Sequence, residues 1–120
     1  MSRHRFYGYG PCSTCRKALA WLNQRGISVE SIDITITPPE PEALRRGFEQ
    51  LGRHRLFNTS GQSYRALGAA RVKAMDDAEA LAALASDGRL IKRPFLLTAD
   101  GGVLTGFREA EWSETLGAPP

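Results

Sequence analysis

The sequence predicts one mixed α/β domain in which a βαβ unit, a run of helices and a ββα unit follow one another. Three observations predict it. A short aromatic stretch runs into Gly8, Gly10 and Pro11 and gives way at once to helical spacing. The middle third shows apolar stripes at helical period. Near the C terminus two short β-rich segments flank an Asp100-Gly101-Gly102 turn.

Each element has its own reason. Residues 5–9 read as a first strand ending in a glycine and proline turn. From Ser13, the residues Cys15, Ala18, Leu19 and Leu22 recur at helical spacing, and Gly26 caps the segment. Residues 27–34 alternate apolar and polar positions and form a second strand, parallel to the first because a helix separates them. Residues 37–41 hold Pro38, Pro39 and Pro41 and serve as a connector. Beyond them a helical insertion of about residues 42–88 is expected. Residues 42–51 place Leu44, Phe48 and Leu51 on one face, residues 63–67 form a short helical turn, and residues 76–86 follow an acidic start with an alanine and leucine stripe. Residues 95–98 and 103–105 make the hairpin, and residues 109–116 a final helix.

A chain of 120 residues, 42% hydrophobic and 24% charged, suits a single core over residues 1–120. No apolar run reaches signal-peptide length near the start, or the roughly 18 residues of a membrane span, so a soluble cytoplasmic monomer with no membrane contact is expected. Two cysteines are too few for a disulfide scaffold; a close pair in a reducing compartment is redox-active or metal-binding more often than structural. A net charge of +3, with clusters at Arg45, Arg46 and at Arg53, His54, Arg55, falls short of a direct nucleic-acid binder. It fits an anionic small molecule or an acidic protein surface, with the 53–55 cluster, in an irregular segment, the better placed to touch a partner.

The strongest local signal is Gly10-Pro11-Cys12-Ser13-Thr14-Cys15, a C-x-x-C pair at a strand-to-helix junction. Unpaired backbone N–H groups and the helix dipole favour an anion there, so Cys12 is expected to ionise readily and act as nucleophile. Cys15 lies one turn further on, placed to attack a mixed disulfide on Cys12. Arg16 and Lys17 add positive charge nearby. The pair also fits two inert buried thiols, a reading that the junction and its charges disfavour. Zinc fits poorly, because only His4 and His54 remain as further ligands and each is isolated, so no metal is expected. A phosphatase-type loop would need an arginine where Ala18 stands, and Gly8-x-Gly10 is no more than a turn. A second signal is Arg93-Pro94 ahead of the hairpin, where a cis or a trans bond fits the sequence equally. Arg93 could cover the thiolate, bind an oxyanion with its planar fork of donors, or be solvated. Trp21, Phe107 and Trp112 have the spacing of core residues.

Read together, Tyr7-Gly8-Tyr9-Gly10-Pro11-Cys12-Ser13-Thr14-Cys15-Arg16-Lys17-Ala18, then Leu56-Phe57-Asn58-Thr59-Ser60-Gly61, Ile91-Lys92-Arg93-Pro94 and Gly106-Phe107 resemble the glutaredoxin-linked arsenate reductase (ArsC) and Spx/MgsR family across nearly the whole chain. The resemblance implies a thioredoxin-like mixed sheet with a helical insertion. It also implies Cys12 as catalytic thiol, Arg93 beside it and a cis bond at Pro94. Pro11, Ser13, Thr14, Pro94 and Arg108 are the matching substrate-binding positions. The chain departs from the reductases where Asn58 replaces an arginine, where Arg108 stands one place out of register, and where Cys15 adds a second thiol as in Spx-type regulators. The reductase expectation needs no bound cofactor, and glutathione, glutaredoxin or thioredoxin supplies electrons. The regulator expectation is a Cys12–Cys15 disulfide switch on a protein that docks on the RNA polymerase α subunit through Arg45, Arg46, Arg53 and Arg55.

Overall fold

A computed structural model describes residues 3–117; residues 1, 2 and 118–120, at the ends of the expected domain, lie outside the described residues. Strand β1 (His4–Gly8) leads through a turn into helix α1 (Ser13–Gln24) and strand β2 (Val29–Asp33). Four helices follow: α2 (Pro41–Leu51), α3 (Gln62–Leu67), α4 (Ala69–Ala74) and α5 (Asp77–Ser86). Strands β3 (Phe95–Leu97) and β4 (Val103–Thr105) and helix α6 (Glu109–Leu116) complete the chain. The sheet order is β2-β1-β3-β4, with β1 and β2 parallel and the other pairs antiparallel.

Cross-strand register explains why the domain has a core on each face of this sheet. Phe6, Leu96 and Leu104 stand opposite one another in one row, while Tyr7, Phe95 and Thr105 form the next. Successive side chains of a strand point to opposite faces. The first row packs under α1 and α6 with Cys15, Ala18, Trp21, Leu22 and Trp112. The second side meets the inserted helices through Leu44, Leu56, Leu84, Leu90 and Ile91. Trp112 is fully buried and lies edge-on to Phe6, Trp21 and Phe107 at 5.2–6.4 Å between ring centroids, and its Nε1 donates to the Gly106 carbonyl at 3.0 Å. The three aromatic residues assigned to packing from sequence therefore meet in one cluster.

Several local expectations change. Pro41, placed in the connector by composition, is the first residue of α2, where a missing N–H costs nothing. The stretch 69–74, left unassigned, forms α4, and two 3-10 turns occupy Arg53–Arg55 and Gly88–Leu90. β2 is shorter than the alternation suggested, and as an edge strand it leaves Val29 and Ile32 only half-buried. α5 starts with a capping box, Asp76 accepting from the Glu79 N–H at 2.8 Å while Glu79 accepts from the Asp76 N–H at 3.0 Å. Gly101 takes a positive φ of 92° in the hairpin turn.

The basic clusters of the insertion are largely neutralised, the 53–55 cluster by partners remote in sequence and the 45–46 pair by glutamates of its own helix. Arg55 forms a two-pronged pair with Glu111 of α6 at 2.8 and 2.9 Å, which holds the Glu111 carboxyl below its usual range. Arg53 donates to the Val72 carbonyl at 2.6 Å and pairs with Asp77 at 3.3 Å. Arg45 bridges Glu42 and Glu49, and Arg46 lies 3.5 Å from Glu42. The 53–55 segment is thus a structural clamp between the insertion and α6, where the sequence suggested a free contact surface.

Candidate functional site

The site forms where β1 ends and α1 begins. Gly8 sits where a Cβ would come within 2.5 Å of the Phe6 ring, so the strand leaves its last residue bare before the turn. Cys12 then adopts an extended conformation as the N-cap of α1, and its Sγ accepts the backbone N–H of Cys15 at 3.2 Å. A sulfur here replaces the oxygen that commonly caps a helix, and the first turn carries no acid to oppose an anion. Arg16 donates to the Gly10 carbonyl at 3.0 Å and braces the loop from below.

The two thiols are free and differ sharply in environment. Cys12 is half-buried and faces a cleft of about 590 Å³, whereas Cys15 is only 2% exposed, packed with Phe6, Ala18 and Trp21. Burial pushes the Cys15 thiol up to about 12, with help from its hydrogen bond to Cys12; a hydrogen bond with the Tyr9 backbone and, less, the charge of Arg93 oppose this. Cys15 is therefore a protonated thiol at neutral pH, held one helical turn behind Cys12.

The cleft over Cys12 collects residues from four parts of the chain. Ser13 and Thr14 come from α1, Asn58 from the loop before α3, Lys92 and Arg93 from the segment before β3, and Arg108 from the N-cap of α6. Among the described residues no aspartate or glutamate lines it. Arg93 lies over the Tyr9 ring, 4.9 Å from its centroid, which fixes the guanidinium plane beside the loop. The Arg93-Pro94 bond is cis, the alternative the sequence left open. Of the positions expected at the site, Cys12, Ser13, Thr14, Arg93 and Arg108 share this cleft. Pro11 and Pro94 do not line it: Pro11 is exposed ahead of Cys12, and Pro94 is buried, its carbonyl accepting the Gly106 N–H at 2.9 Å. Sequence reasoning gave no role here to Thr105 or to the clamp residue Arg55, which also reach the cleft wall. Only the fold places them there, because β4 and the 53–55 turn are far from Cys12 in sequence.

A thiol at a helix start, a cationic cleft and a second thiol behind it define a small thiol redox protein with a thioredoxin-like fold. The ArsC family model matches residues 7–115, and the chain belongs to the ArsC family. It is 44% identical over 113 residues to the YusI protein of Bacillus subtilis (strain 168), covering 91% of this chain and 94% of that one. It is 33% identical over 98 residues to an arsenate reductase of Neisseria meningitidis, covering 79% and 82% of the two chains. Among solved structures it is similar to a possible arsenate reductase from Streptococcus mutans UA159, with TM-score 0.82, 42% identity and coverage of 90% and 93%.

The buried thiol sets a pH dependence. A thiolate, not a thiol, attacks a disulfide, so below about 12 the reactive fraction of Cys15 grows about tenfold per pH unit. A chromogenic aryl disulfide added to the protein should release one reporter quickly as Cys12 reacts and the second slowly as Cys15 displaces it. The logarithm of the second rate is expected to rise with a slope near +1 across the neutral to mildly alkaline range. A second step independent of pH would show that Cys15 is not held as a buried thiol.

Proposed function

We propose that this chain is a thiol-dependent reductase of an arsenate-like oxyanion or an oxidised sulfur, with glutathione or glutaredoxin as electron donor. The observation that carries this reading is the Cys12 sulfur facing a cleft whose charged lining is entirely basic, Lys92, Arg93 and Arg108 among it. An oxyanion there would be held by the Arg93 fork and the free N–H groups that open α1. Cys12 attacks arsenic and displaces an oxygen as water. A donor thiolate then attacks the Cys12 sulfur; the sulfur–arsenic bond breaks and its electron pair stays on arsenic, which falls from As(V) to As(III). Cys12 is left in a mixed disulfide with the donor, and Cys15 or a second external thiol attacks that bond and frees the donor. Two thiols lose two electrons and arsenic gains two.

A second reading, an Spx-like regulator of the RNA polymerase α subunit, is favoured by one observation: two free thiols, Cys12 and Cys15, stand one turn apart at the start of α1, the spacing a C-x-x-C disulfide switch uses. A coupled assay of arsenate reduction with glutathione, glutaredoxin and their reductase distinguishes the two. Arsenate-dependent oxidation of the nicotinamide donor, lost in Cys12→Ser, is expected. Absence of turnover, together with oxidation-dependent retention on immobilised α subunit, would replace the reductase reading with the regulator.

A further inference from the structure

A second basic pocket, of about 330 Å³, opens beside the Cys12 cleft and shares Asn58, Ser60 and Arg93 with it. Its remaining charges are Arg65 of α3 and Arg89 of the 88–90 turn, and among the described residues no carboxylate lines it. Among the described residues none of these three arginines makes an ion pair within 4.0 Å, in contrast to Arg53 and Arg55 of the same insertion. Two of the guanidiniums are nonetheless braced, and the backbone of the third is held. Arg65 donates to the Ser60 carbonyl at 2.7 Å, Arg93 lies over Tyr9, and the Arg89 carbonyl accepts from the Asn58 amide at 3.4 Å. Asp33 feels the charge of Arg89, but its Oδ1 is already taken by the N–H and hydroxyl of Thr35, at 2.9 and 2.6 Å. Three guanidiniums around one concavity repel one another, and a ligand carrying more than one carboxylate relieves that repulsion through charge-assisted bonds.

We infer that this pocket is the docking subsite of the electron donor, a low-mass thiol bearing carboxylates, whose sulfur reaches Cys12 across the shared wall of Asn58, Ser60 and Arg93. The inference rests on the reading of Cys12 as a nucleophile that passes through a mixed disulfide; it does not depend on arsenate being the substrate. Arg65 and Arg89 select the donor by charge, and neither touches the reacting sulfur.

Glutathione disulfide and the uncharged 2-hydroxyethyl disulfide probe the subsite without arsenate. In either reaction the Cys12 thiolate forms a bond to one sulfur of the probe, the probe's S–S bond breaks, and the other half leaves as a thiolate with the electron pair. Rates are read as mass-resolved adduct on Cys12 in a Cys15→Ala background, so that the adduct is not cleared internally. R65A/R89A is expected to slow glutathionylation about tenfold, the size of losing charge-assisted bonds, and to leave the hydroxyethyl reaction within about twofold. R65K/R89K, which keeps the charge, should recover most of the loss. Equal slowing of both probes, or no slowing of either, would overturn the subsite while Cys12 chemistry stood. A Cys12 inert to both probes would overturn the subsite and the reductase reading together. Failure of arsenate turnover with the charge selectivity intact would remove only the arsenate substrate.

Discussion

Replacing Cys12 with serine is expected to lower thiol-dependent turnover by at least about 10⁴-fold, in the range seen when an enzyme loses its nucleophile. The hydroxyl that takes the place of the sulfur ionises far above neutral pH, and among the described residues the sulfur it replaces is hydrogen-bonded by the Cys15 backbone N–H and not by a base, His54 being the one imidazole in the cleft lining. Folding should not suffer. Cys12 is half-buried at an N-cap, a position where serine is among the preferred residues, so the variant should melt within a degree or two of the parent. Cys15→Ala separates the two thiols. It leaves the first attack intact, so a stoichiometric adduct should accumulate on Cys12, and turnover should then follow the concentration of external thiol. Mass spectrometry of the intact protein, beside the coupled assay, reads both. Retention of more than about a hundredth of the activity by Cys12→Ser would exclude Cys12 as the nucleophile.

Features written in neighbouring residues were legible in the sequence. The thiol loop, the helix after it, the Asp100-Gly101-Gly102 hairpin and the helix over 109–116 all declare themselves within about ten residues through period, turn chemistry and caps. α4 was not legible, because six residues of alanine, arginine, valine and lysine between Gly68 and Met75 offer too little periodicity to tell helix from loop. The arginines were misjudged for a related reason. Arg53 and Arg55 look like a surface cluster until Asp77 and Glu111, 24 and 56 residues away, arrive beside them. The converse holds at the candidate donor subsite. Arg65 and Arg89 are unremarkable alone, and only the packing of α3 against the 88–90 turn brings them to one pocket with Arg93. Ion pairs between separate elements are a long-range property of the fold, whereas a thiol at a helix start is a local one.

The same turn carries the largest expected effect on stability. Gly88 is buried, and a Cβ built on it would lie 1.7 Å from the Ile34 carbonyl oxygen and 2.7 Å from the Ile34 carbonyl carbon. Both obstacles are backbone, so no rotamer change relieves them. Neither segment can retreat: the Ile34 N–H donates to the Gly8 carbonyl at 2.9 Å next to the thiol loop, and the Gly88 carbonyl accepts from Ile91, which is fully buried beneath the insertion. Gly88→Ala must therefore push the 88–90 turn off the sheet, opening the core around Leu90 and Ile91. It is expected to cost at least about 3 kcal/mol of a total near 5–15 kcal/mol, and to lower the melting temperature by roughly 10 °C or more. Gly10→Ala, where a Cβ meets nothing within 4 Å, should shift stability by less than about 0.5 kcal/mol and serves as the control. Urea and thermal melts of the two variants test the claim, and parental stability in Gly88→Ala would refute the close approach of this turn to Ile34. Because the turn also bears Arg89, a variant that folds with a displaced turn should lose the preference for glutathione disulfide while keeping its reactivity toward the uncharged probe.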